Sequence, residues 1–258
     1  MNSRLSLAFI VFVGLIFWNP ISLQAGPLSA AALVEKSKTV DDVTAIKMLR
    51  GVLKRSPRHV GANYRLGFLY QKMNRRGPAE THYRAVLKSR GCHVQALNNL
   101  GGVLLDSGKT REAETFYVRA LRCDASFSPA HYNLANILKD RGDFPAAVRH
   151  YGQALRGNPD HARSHHNLGI VYYHLAARGG DRGSRNGALS LRHLKRSIEL
   201  EPRDALARFN YARILAAAGK RAAALKEMRM AERHARKQPA LSRKIREAYQ
   251  QLKYAPAR

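Results

Sequence analysis

Leu66, Leu100, Leu134 and Leu168 recur at intervals of 34 residues, and each is followed by a small residue: Gly67, Gly101, Ala135 and Gly169. A fixed period of this length does not build one globular core. It specifies a single supersecondary unit, repeated, that buries its apolar face only against its neighbours. The second half of each unit keeps the register. Ala79, Ala113 and Ala147 stand thirteen residues after the first three leucines, Tyr83, Tyr117 and Tyr151 four residues later, and then come Val86, Ala120 and Ala154. Steps of three and four place these side chains on one helical face. Pro159 and Pro202 stand where a helix has to stop.

These positions resemble the tetratricopeptide repeat family, whose pattern reads W-x2-L-G-x2-Y, then A-x3-F-x2-A, then P. The resemblance covers about residues 28 to 238. It implies an all-α fold: a right-handed superhelical solenoid of helix-turn-helix repeats with a C-terminal capping helix. Residues 26–57 read as a degenerate first repeat, with Ala32, Ala45, Leu49, Val52 and Pro57 in register. Full repeats follow at 58–91, 92–125, 126–159, 160–202 and 203–238, and residues 239–258 form the cap and tail. In the cap, Leu241, Ile245, Ala248, Tyr249 and Leu252 make an apolar stripe on an otherwise charged helix. Leu168 to Tyr211 is 43 residues, so the 160–202 repeat carries nine extra; they fall in the Gly- and Arg-rich stretch Arg178–Gly187, read as a cationic loop between two helices. At repeat position four the family's aromatic is replaced by Asn63, Leu97, His131, His165 and Arg208. That substitution predicts loosely filled contacts between paired helices.

Residues 1–25 contain no acidic side chain, one Arg at position 4, and an apolar run from Leu5 to Trp18. The run is short of the ~20 residues of a comfortable membrane span, so it reads as a cleaved secretory signal peptide, with an uncleaved N-terminal membrane anchor as the alternative. No cysteine lies near residue 25, which excludes a lipoprotein start. The expected location is exported: periplasmic, or anchored in the inner membrane and facing the periplasm. Cys92 and Cys123 suit an oxidising compartment in number. A bridge between them would close a loop of about 30 residues, worth about 3 to 4 kcal/mol in the chain-entropy account. The alternative is two packing thiols held too far apart by neighbouring hairpins.

Lys+Arg 45 against Asp+Glu 18 gives a net charge of +27, and the surplus is greatest in residues 203–258. Such a chain attracts polyanions. No basic run is interleaved with aromatics and no nucleic-acid motif is present, which disfavours nucleic acid and leaves anionic lipid or polysaccharide as a second class of partner.

In the resembled family the first helix of each hairpin lines a concave groove, and the residue before the signature leucine points into it. Here those residues are Arg65, Asn99, Asn133, Asn167 and Asn210. The four amides resemble the asparagine ladder in the tetratricopeptide superhelix of O-linked N-acetylglucosamine transferases. An amide both donates and accepts, so a row of them matches the peptide groups of an extended partner segment. Asparagine serving only local hydrogen bonding is the alternative. Tyr64, Tyr132, His166 and Asn136 are expected to add pockets to this groove. His161, His165 and His166, with His131 one repeat earlier, invite a metal reading, but no carboxylate or thiolate completes a set nearby; they read as solvated or groove-lining imidazoles. No nucleophile–base pair, paired carboxylates or cofactor fingerprint is present, so neither enzyme activity, nor a cofactor, nor a metal is expected. The expected function is a protein-interaction scaffold of the cell envelope.

Overall fold

The computed structural model describes residues 28–178 and 183–255, which form helices and no strand. The expected export segment lies outside the described residues, and among those described no helix is long and apolar enough to cross a membrane. Thirteen α-helices follow in chain order: α1 (Ala30–Lys36), α2 (Asp42–Arg55), α3 (Val60–Lys72), α4 (Arg76–Ser89), α5 (Val94–Asp106), α6 (Thr110–Cys123), α7 (Ser128–Arg141), α8 (Phe144–Gly157), α9 (Ala162–Ala177), α10 (Gly183–Leu200), α11 (Ala205–Ala217), α12 (Arg221–His234) and α13 (Pro239–Tyr254).

Each odd-numbered helix pairs with the even-numbered one after it, and odd helices also touch one another in series, α1 with α3 through to α11 with α13. The odd helices are therefore the inner row of a solenoid and the even ones the outer row. The last described helix, α13, continues the inner row. Its Leu241, Ala248, Tyr249 and Leu252 pack on the last hairpin's Phe209, Met228 and Ala231.

The sequence sets the turns. Between inner and outer helices the chain needs one residue in the left-handed region, and it places Asn74 (φ 55°), Gly108 (φ 77°), Gly142 (φ 84°) and Gly219 (φ 73°) there. In the 160–202 repeat the equivalent position is Ala176, for which that conformation is costly. There α9 simply continues to Ala177, and α10 starts at Gly183 and runs 18 residues. The expected ten-residue loop is thus corrected: residues 183–187 are helix, the insertion is absorbed largely by longer helices, and 179–182 lie outside the described residues.

Small residues let paired helices close. A Cβ on Gly101 would sit 2.6 Å from Cε1 of Tyr117, and one on Gly67 2.8 Å from Cδ1 of Tyr83. The tyrosines thus lie flat on the glycines, which is why both recur with the same period. The same close approach recurs at Gly169, where Leu194 replaces the tyrosine.

Position four is a correction as well. Asn63, His131, His165 and Arg208 are not loosely packed; each ties three chain segments together. Asn63 Nδ2 donates to Pro57 O (3.0 Å) while its Oδ1 meets His82 Nδ1 (2.9 Å). His131 reaches Ala125 O and His150 Nδ1, and His165 reaches Pro159 O and His193 Nδ1, all at 2.9 Å. Arg208 donates to Pro202 O (3.0 Å) and pairs with Glu227 (2.5 Å). Every carbonyl lies six residues back, two residues past the preceding outer helix, and every side-chain partner lies on the paired outer helix. In His131 and His165 the carbonyl fixes the proton on Nε2, so Nδ1 accepts and the partner histidine donates. The family's apolar wedge is replaced here by a polar clamp. Only Leu97, opposite Phe116, keeps apolar character.

Cys92 and Cys123 are bonded, with Cα atoms 5.6 Å apart. Both belong to the 92–125 hairpin: Cys92 lies just ahead of α5 and Cys123 ends α6, so the bridge closes the hairpin's open end. At the equivalent corner of the preceding hairpin, Ser89 Oγ donates to Arg58 O at 3.4 Å.

Candidate functional site

The residue one before each signature leucine lies on an inner helix, and there the four asparagines are half-buried. Each spends an N–H on the inner helix of the previous hairpin. Asn133 Nδ2 donates to Asn98 Oδ1 (2.9 Å), Asn167 Nδ2 to Asn136 Oδ1 (2.8 Å), and Asn99 Nδ2 to the hydroxyls of Tyr64 and Tyr83 (3.3 Å each). Asn210 Nδ2 lies 3.1 Å from His166 Nε2 and donates to it. The amides therefore act first as rungs between successive repeats. Asn99 spends both N–H groups on those hydroxyls, while on Asn133 and Asn210 the second N–H remains; the Oδ1 atoms of Asn133, Asn167 and Asn210 meet no donor among the described residues.

The flanking residues divide by role. Tyr64 stacks on His93 (ring centroids 5.0 Å) and Tyr132 meets His161 edge-on (4.8 Å), so both tyrosines fill the step between one inner helix and the start of the next. Burial raises the Tyr64 hydroxyl above the ordinary phenol range. His93 caps α5 through Nδ1, which accepts from Ala96 N at 3.2 Å. Asn136 Oδ1 accepts from both Asn167 and Tyr151 (2.5 Å). Of the histidines, His131, His165 and His161 serve the framework, whereas His166 faces the groove; burial holds it below the ordinary imidazole range. Among the described residues no cluster of three or more His, Cys, Asp or Glu is arranged to hold a metal ion.

At its C-terminal end the groove deepens into a cavity of about 740 Å³. His166, Asn167, Ile170 and Tyr173 of α9 form one wall, Leu206, Asn210 and Ile214 of α11 another, and Ala248 and Leu252 of α13 close the end. Lys139 and Arg213 stand at its edge. Two ladder amides, an apolar floor and two cations thus converge in one recess of ligand size. The contribution of α13 was missed by sequence reasoning: its apolar stripe signals a cap, and nothing in the stripe says that part of it also bounds the groove.

Residues 135–175 match the family profile described as TPR repeat, and residues 64–126 and 182–239 match the one described as Tetratricopeptide repeat. No curated protein sequence matches significantly. Among solved structures, PilF of Pseudomonas aeruginosa is similar with a TM-score of 0.72 and 17% identity, over 85% of this chain and 97% of that one. MamA is similar with a TM-score of 0.54 and 20% identity, over 65% and 93%. YrrB, described as a TPR protein with an unusual peptide-binding site, follows at 0.53 and 18%, over 69% and 90%. Likeness at such identities shows the fold.

Proposed function

Because this chain belongs to the tetratricopeptide repeat family, we propose that it is a scaffold whose inner groove holds an extended segment of a partner protein. The family is a non-catalytic protein-interaction fold whose members bind protein or peptide partners, and no enzyme family is among the matches. The observation that carries the reading is the recess at the end of the groove. There the free faces of Asn167 and Asn210 stand above Ile170, Leu206 and Ile214. Amide carbonyls and N–H groups suit a peptide backbone, the apolar floor suits one bulky side chain, and Lys139 with Arg213 suits a neighbouring carboxylate. The partner is thus an extended, apolar and mildly acidic segment. The apolar residues 5–18, together with the Cys92–Cys123 bridge, support an exported protein acting in the periplasm or at the outer face of the inner membrane.

The test is binding of the full chain to an array of extended peptides, each synthesised with and without backbone N-methylation. Backbone capture predicts that N-methylation abolishes binding, and that affinity changes only about threefold between about 50 and about 300 mM salt. Asn133→Ala with Asn167→Ala should remove binding, as should Ile170→Arg, which fills the recess and leaves every rung intact. Normal binding by both variants would overturn the groove reading.

A further inference from the structure

A concentration of positive charge lies away from the groove, between α12 and α13. Several basic side chains elsewhere are set beside carboxylates: Arg84 with Glu80 and Glu112, Arg141 with Glu114, Arg196 with Asp160 and Glu199, Lys72 with Asp42. The α12–α13 crevice differs from these pairs in gathering several arginines into one recess. It is a recess of about 460 Å³ lined by Arg229, Glu232, Arg233, Arg236, Ser242 and Arg246. Four guanidinium groups face one carboxylate.

Packing fixes this crowding. Met228, Ala231, Ala235 and Ile245 lock the two helices antiparallel. Arg229 Nε donates to Tyr249 Oη at 2.8 Å, and Arg246 Nε lies 3.6 Å from Glu232 Oε1. Three residues forward on α12 match three residues back on α13, so the same register continues to Arg236 opposite Ser242. Arg229, Arg233 and Arg236 follow the spacing of a single helical face, the last lying in the 3-10 turn Ala235–Lys237. Two of the arginines are held by Nε, which leaves their terminal Nη forks free. Arg233 and Arg236 have no ion-pair partner among the described residues. A planar fork is the donor geometry that grips a tetrahedral oxyanion with two parallel hydrogen bonds. The crevice also opens beside the first turn of α13, where the helix dipole adds positive potential.

We propose that the α12–α13 crevice is a binding site for a phosphate monoester or other multiply charged phosphate, gripped by Arg229, Arg233, Arg236 and Arg246 with the Ser242 hydroxyl as a further donor. The ligand chemistry is shared by a soluble phosphate and by a phosphomonoester lipid headgroup, and two arms separate them. In one, inorganic pyrophosphate is titrated into the full chain by calorimetry. In the other, the chain is sedimented with phosphatidylcholine vesicles containing phosphatidic acid, or phosphatidylserine at matched charge.

Arg233→Gln with Arg236→Gln should weaken pyrophosphate binding about tenfold or more, while Lys47→Gln with Lys54→Gln, which removes the same charge from exposed positions on α2, should change it less than about twofold. Melting midpoints of both variants report that the fold is kept. Pyrophosphate binding with preference for phosphatidic acid vesicles supports a site used at a membrane surface; pyrophosphate binding without vesicle binding supports a soluble ligand. Equal losses from the crevice and α2 variants, equal binding to the two anionic vesicles with none to pyrophosphate, or no binding in either arm would overturn the site.

Discussion

Histidine carries much of this framework's individuality. His193 is held low, at about 4 against an ordinary 6.5, by burial and then by the neighbouring His165 and Arg192. Burial likewise depresses His82, His93, His150 and His165. The sign follows directly. As pH falls below 6.5 the unfolded chain takes up the proton at position 193 before the folded chain does, so stability is complete above 6.5 and is lost progressively toward about 4. The melting midpoint should therefore be lower at about pH 5 than at about pH 7. His193→Asn, which keeps a hydrogen-bonding amide and removes the titration, should flatten that slope; an unchanged slope would show that this imidazole does not set it. Glycine 101 belongs to the same scale. Gly101→Ala drives a methyl into the Tyr117 ring and should cost about 1 to 3 kcal/mol in denaturant unfolding. The Gly–Tyr spacing was legible in the sequence, because both members recur every 34 residues. The position-four clamps were not: their partners lie on the paired helix, and a polar residue at a family aromatic position reads as a poor fit until its acceptors are seen.

Between single residues and the array stands the hairpin, and the α5–α6 hairpin alone carries a covalent tie. The bridge joins its two open ends across 31 residues. Its loss, by reduction or by Cys92→Ser with Cys123→Ser, should lower stability by up to about 3 to 4 kcal/mol, measured as a shift of the denaturation midpoint. Because each hairpin leans on its neighbours, faster amide exchange should spread from α5 and α6 to α4 and α7 before it reaches α11. That the chain divides into helical hairpins was legible from leucine, alanine and proline spacing. The fate of the insertion was not, since Gly and Arg in Arg178–Gly187 read as loop while the absence of a turn glycine at Ala176 lets α9 run on. The bridge was left open for a different reason: the sequence puts both cysteines in the 92–125 repeat but does not show how closely the start of α5 and the end of α6 approach.

At the scale of the molecule, most buried apolar side chains of the described residues gather in two clusters, one from Val34 to Val171 and one from Ala205 to Ile245. The second is small and contains only the last hairpin and α13. Unfolding should therefore be stepwise, with α11 to α13 lost at lower denaturant than the rest; a single transition coincident by circular dichroism and by a probe on α12 would contradict this. The solenoid itself was legible from one period. What the groove amides do was only half legible, because the sequence shows that they recur but not that each already holds the helix behind it. Since every rung is shared between neighbours, a guest that recruits a rung must alter the tilt of one hairpin on the next. Occupancy and the pitch of the coil are then linked quantities: the filled molecule differs from the empty one in radius of gyration, and stretching the coil changes how tightly it holds what lies inside.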